Sequence, residues 1–173
     1  LPTIRLAYDF PAMEKAVKKA VTLLKEAGLT NRRYRHICCY VLYNYKDTPQ
    51  DLFKRVRDLL AWGVSAYPMR YQPLNGNQAL EKDSYIAPTW TKEELEMVAA
   101  ARRVIGYGGA FPPYEGLVRK FLDASGFHDA LQLRDRLDTR QYPEMPIVRK
   151  EKKPSDGFEL RELLLDCRRR PEE

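Results

Sequence analysis

The stretch from His36 to Leu74, HICCYVLYNYKDTPQDLFKRVRDLLAWGVSAYPMRYQPL, restricts the fold more than any other part of the chain. Ile37 to Tyr45 is an almost unbroken apolar and aromatic run, too short for a well-formed helix and rich in β-formers, which suits a strand covered on both faces. Thr48, Pro49, Gln50 and Asp51 then make a helix start: a hydroxyl N-cap, a proline whose missing N–H is harmless at the first helical position, and an acid three residues after the cap. Leu52, Phe53, Val56, Leu59 and Leu60 form one apolar stripe, Gly63 supplies a left-handed stop, and Val64 to Tyr71 returns as a second strand. Strand, helix and strand in this order form a βαβ unit with parallel strands and a right-handed crossover.

The same grammar appears upstream. Ile4 to Tyr8 reads as a short strand, and Asp9 with Pro11 closes it before a helix over Ala12 to Ala27, with Met13, Ala16, Val17, Ala20, Val21 and Leu24 on one face and Gly28 as its stop. The expected order through residue 74 is β-α-β-α-β, an α/β arrangement around a parallel sheet. Parallel strands bring their carboxyl ends to one edge, so Asp9, the segment Asn44 to Asp47, and Arg70 to Leu74 should converge on one crevice, where ligands of such sheets bind. Residues 75–90 read as a surface loop, and residues 91–139 as a helical extension opened by a second capping box at Thr91 and Glu94. GYGGAFPP reads as a joint between elements, a helix follows over Pro113 to Ala124, and residues 140–173 read as a basic linker and tail helix over Phe158 to Arg170.

The strand, the string NYKDTPQD, the helix, and a strand entered by Gly-Val and containing a proline together resemble the fifth strand, fifth helix and sixth strand of radical S-adenosylmethionine enzymes. The family's G-x-I-x-G-x-x-E pattern falls on Tyr40, Leu42, Asn44 and Asp47, with both glycines and the glutamate replaced. The resemblance implies that Leu42 packs on the adenine, that Asn44 and Asp47 lie beside the cofactor, that Asp9 offers a polar group to its ribose or methionyl part, and that Met69 and Gln72 flank the adenine from the last strand. It spans roughly residues 1–74 and implies a partial, half β/α barrel of three parallel strands followed by a helical C-terminal extension. The family's Cys-x-x-x-Cys-x-x-Cys loop is absent: Cys38 and Cys39 are adjacent on a strand, which points them to opposite faces, and Cys167 is distant in sequence.

Together these features lead us to expect the C-terminal half of a radical S-adenosylmethionine enzyme, catalytically silent alone. The 4Fe–4S cluster would belong to the full-length parent, and the missing N-terminal half of the barrel would be the principal partner. The leucine at residue 1 and a strand starting almost there fit a piece of a longer protein. An unpaired first strand would also favour self-association through its edge.

Two other classes compete with this reading. One is a non-catalytic scaffold that uses the late helices. The other is a basic nucleic-acid-binding module, suggested by a net charge of +6 and by NRRYRH, ARR, VRKEKK and CRRR, but disfavoured by their scatter and by interspersed acids. No stretch suits a membrane span, no signal peptide is evident, and the cysteine pattern is no disulfide framework, so a cytoplasmic setting is expected. Duller roles are available for the same residues: Asp9 as a helix cap, Asn44 and Asp47 as turn formers, Leu42 as core. Alternation puts Met69 with Tyr71 and Arg70 with Gln72 on opposite faces, and either pair suits the interior. His36 and His128 have no neighbouring pattern that assigns them chemistry.

Overall fold

A computed structural model of the protein describes residues 4–29, 37–73 and 84–133. The basic segments NRRYRH, VRKEKK and CRRR, most of the 75–90 loop, Cys167, His36 and the tail helix lie outside the described residues. The chain forms β1 (Ile4–Ala7), α1 (Glu14–Glu26), β2 (Ile37–Tyr43), α2 (Pro49–Ala61), β3 (Ser65–Arg70), α3 (Lys92–Val104), α4 (Glu115–Asp123) and α5 (Phe127–Leu131). The three strands make a parallel sheet in the order β1-β2-β3, so the expected α/β arrangement is present.

Local chemistry accounts for the helix starts. Thr48 accepts the Asp51 N–H while the Asp51 carboxylate accepts the Thr48 N–H, and Thr91 with Glu94 repeats the reciprocal pair. Gly28 and Gly63 both adopt positive φ where α1 and α2 end. The first helix departs from expectation at its start, where Pro11–Met13 form a tighter 3-10 turn before α1. Asp9 is no cap: its Oδ1 accepts the Leu42 N–H at 3.1 Å and ties the end of β1 to β2.

Both crossover helices cover one face of the sheet. They meet through the Lys54–Glu14 pair at 3.1 Å and through Lys25 Nζ, which donates to the Trp62 carbonyl at 2.6 Å. Under them Ile37, Cys39, Val41 and Tyr43 are buried with Val17, Val21, Val56 and Leu59. The expectation that β2 is covered on both faces is corrected: buried residues alternate strictly with half-buried ones from Ile37 to Tyr43. The register places Cys38, Tyr40 and Leu42 on the opposite face, which the described elements leave more open, beside Ser65, Tyr67 and Met69 of β3 and, for the first two, Arg5 and Ala7 of β1. There Arg102 of α3 lies over Tyr67, 5.0 Å from its ring centroid, and no described element lies over Leu42 and Met69.

The edges of the sheet differ as well. Phe111 exchanges backbone hydrogen bonds with Ala66 in both directions, at 2.7 and 3.0 Å, and thereby occupies the outer side of β3. GYGGAFPP joins α3 to α4 as expected, and it is also pinned to the sheet. Tyr107 and Ala110 close a tight turn with Gly108 and Gly109 at positive φ, and Phe111 is buried against Phe121 with ring centroids 5.7 Å apart. Phe121 in turn stacks on Phe53, which fastens α4 to the back of α2. Among the described residues no strand pairs with the outer side of β1.

Candidate functional site at the carboxyl edge of the sheet

The strand ends converge as parallel topology requires, and a buried arginine binds them together. Arg55 is fully buried on α2. Its Nη1 donates to the carbonyls of Tyr8, Asp9 and Leu42 at 3.1, 2.7 and 2.8 Å, and its Nε donates to the Asp51 carbonyl at 3.1 Å. Its Nη2 pairs with the Asp47 carboxylate. A planar guanidinium suits this task because its five N–H groups can meet several acceptors while carrying one charge.

Asp47 and Asn44 are committed to the same framework. The Asp47 Oδ1 accepts from the Tyr45 N–H at 3.2 Å and from Trp90 Nε1 at 3.1 Å, and its carbonyl accepts from Thr89 Oγ1 at 2.6 Å. Asn44, also fully buried, adopts a φ of 65°. Its Nδ2 donates to the carbonyls of Tyr71 at 3.3 Å and Tyr85 at 2.9 Å, and its Oδ1 accepts the Ala87 N–H at 2.8 Å. Both side chains thus strap residues 84–90 across the strand ends. They position what lies at the edge, and their polar atoms are already used.

Of the other residues expected here, Leu42 and Met69 are partners in register on the uncovered face. Leu42 is half-buried and Met69 is 44% exposed, whereas Arg70 takes the helix-covered side. This decides the alternation left open at β3. Asp9 lies at the end of β1 beside Leu42, and Gln72 follows β3 in a half-buried position.

Around these residues the edge carries a row of rings. Phe10 approaches Tyr45 at 6.5 Å between centroids, Tyr45 approaches Tyr71 at 4.5 Å, and Tyr71 approaches Tyr85 at 5.7 Å. Lys46 Nζ stands 5.4 Å from the Tyr45 centroid.

Arg55, Tyr85 and Trp90 are absent from the sequence-derived set. Arg55 did leave a signal, since it falls within the stripe Leu52, Arg55, Val56, Leu59, where a charged side chain must find buried partners. The strap left none, because its bonds run to side chains more than forty residues away.

The described cysteines do not suit a metal cluster. Cys38 and Cys39 take opposite faces of β2, and burial raises both thiols, Cys39 to about 12, which keeps them protonated. Among the described residues no three His, Cys, Asp or Glu side chains are grouped to hold a metal ion. Likewise, no helix among them is long and apolar enough to cross a membrane. A hollow of about 530 Å³ between α3, α4 and α5 mixes Arg119 and Lys120 with Asp123 and Asp129. Its groups are engaged locally, Lys120 with the Gln132 carbonyl and Asp129 with Ser125.

Comparison with known proteins returns no matching family model, no matching curated protein and no matching solved structure.

Proposed function

We propose that this chain is the C-terminal part of a radical S-adenosylmethionine enzyme, half of a β/α barrel whose uncovered face forms one wall of the cofactor site. The observation that carries the reading is the one-sided sheet: sequential parallel strands, crossover helices on a single face, and an opposite face that presents Leu42 and Met69 side by side. Helices on one side only are what a closed or partly closed barrel requires, because its strands face inward on the other. Phe111 takes the outer side of β3 at Ala66, and in this reading the missing N-terminal half of the barrel is the partner that adds its strands at β1. The same edge allows self-association when that partner is absent.

The residues fit S-adenosylmethionine in kind. Leu42 and Met69 offer an apolar, polarizable surface for a purine, and Asp9 stands at the end of β1 beside Leu42. Gln72 follows β3 and would reach the ligand from the strand end. Asn44, Asp47 and Arg55 hold that surface in place without touching the ligand. S-adenosylmethionine bound there would support hydrogen abstraction only once the parent's cluster supplied the electron that cleaves it, and this chain's share would be to orient it and exclude water. The described residues do not fit the 4Fe–4S cluster, and the fragment alone is inactive.

Equilibrium dialysis with labelled S-adenosylmethionine tests the reading. The wild-type chain should bind weakly, and Leu42→Glu and Met69→Glu should each weaken binding at least about tenfold, since a charge placed against the purine loses its hydration there. Circular dichroism should show both variants folded. No binding to the wild type at millimolar ligand, or equal binding by all three proteins, would contradict the assignment.

A further inference from the structure

We propose that the aromatic rim of Phe10, Tyr45, Tyr71 and Tyr85 is a nucleotide-binding surface, with the base laid on the rings and the phosphate against Lys46. This deepens the preceding reading by naming the class of substrate the edge would present, and rests on it only for the claim that the bound nucleotide is transformed.

Each ring comes from a different segment. Phe10 follows β1, Tyr45 follows β2, Tyr71 follows β3, and Tyr85 belongs to the strap laid over the strand ends. The three ring contacts connect them into one row, yet Phe10 remains 42% exposed and the three tyrosines only half-buried. Aliphatic side chains would close a strand end equally well. Tyrosines at a wet edge instead leave amphipathic π faces, on which bases stack with little sequence preference.

The row is also preorganised. Asn44 clamps the carbonyls of Tyr71 and Tyr85 with one amide group, and its own left-handed backbone sets the path into Tyr45. A buried non-glycine residue in that conformation marks a place where surrounding structure enforces an unusual geometry, as functional edges do.

Charge selects the nucleotide among planar ligands. Lys46 is exposed and its Nζ lies over the Tyr45 ring, 5.4 Å from the centroid, so a base laid on that face turns the ammonium to the ring's edge, where a phosphate can meet it. The chain's net +6 favours anionic ligands generally. A purine or pyrimidine joined through a sugar to a phosphate offers both features at that separation. An aromatic peptide side chain offers only the first.

Nuclear magnetic resonance on ring-labelled Tyr and Phe and methyl-labelled Leu and Met, titrated separately with adenosine monophosphate, adenosine and S-adenosylhomocysteine, tests this. Adenosine monophosphate should shift the four rim rings and bind more tightly than adenosine. Lys46→Glu should abolish that difference, and Tyr45→Leu should weaken binding about tenfold. Asn44→Gly, which tolerates the positive φ but releases the clamp, should stay folded and bind more weakly. The proposal is overturned if adenosine monophosphate shifts none of the four rings, or if Tyr45→Leu and Lys46→Glu bind it like the wild type. S-adenosylhomocysteine should shift Leu42 and Met69 instead. If it does not while the rim responds to adenosine monophosphate, the S-adenosylmethionine reading fails and the nucleotide surface stands.

Discussion

Cys39, Val41 and Tyr43 lie under the helices with at most 2% of their surface exposed, while Cys38, Tyr40 and Leu42, interleaved with them on the same strand, stay only half-buried. Both sets are apolar enough for a core. The difference lies in what covers them: α1 and α2 seal one face, and no described element seals the other over Leu42 and Met69. A sheet that stabilises itself through one face is free to use the second for a ligand or partner.

The largest expected effect comes where the two faces are joined, at the strand ends. Arg55→Met should leave the Asp47 carboxylate buried without its countercharge and strip the carbonyls of Tyr8, Asp9 and Leu42 of their donor. Removing one partner of a buried pair typically costs about 3–5 kcal/mol. Urea denaturation should find the variant unfolded or close to it, and a loss below about 1 kcal/mol would mean that the pair behaves like a surface one.

A matched pair of leucines sharpens the comparison between faces. Leu59, fully buried beneath the covered face, should lose about 3 kcal/mol on truncation to alanine. Leu42→Ala, made on the uncovered face, should lose less than about 1 kcal/mol in the same assay, since little packs over it. Equal losses would place a hidden cover over Leu42.

A smaller effect should appear at alkaline pH. Burial pushes the Cys39 thiol from 9.0 to about 12 and the Tyr8 hydroxyl from 10.0 to about 12, so the folded state keeps protons that the unfolded chain releases. Stability from these groups is therefore complete below pH 9 and is lost as pH rises toward 12. Cys39→Ala should flatten the slope of stability against pH in that window. An unchanged slope would show that Cys39 is not the group responsible.

What could be read from the sequence was local. Thr48 with Asp51 and Thr91 with Glu94 announce helices because a cap bonds to residues three positions away, and Gly28 and Gly63 stop helices through their own φ. The convergence of Asp9, Asn44 and Asp47 also follows from parallel order alone. The one-sidedness of β2 does not, because Tyr40 and Leu42 are as apolar as their buried neighbours and the run shows no alternation. Nor does the role of Asn44 and Asp47 as braces, since their partners Tyr85, Ala87 and Trp90 lie in a stretch whose own pattern reads as loop. GYGGAFPP is half legible: its glycines and prolines mark the joint between α3 and α4, but the backbone bonds of Phe111 to Ala66 that fix it to β3 leave no trace in its own pattern.

The most direct test is solvent paramagnetic relaxation on methyl-labelled protein with a soluble nitroxide, recorded before and after adding S-adenosylmethionine. Without ligand, Leu42 and Met69 should broaden while Val41 and Leu59 stay sharp, and saturating ligand should protect Leu42 and Met69 selectively. Leu42 and Met69 methyls that are sharp from the start, or that remain equally broadened with ligand present, would contradict an open face built to hold the cofactor.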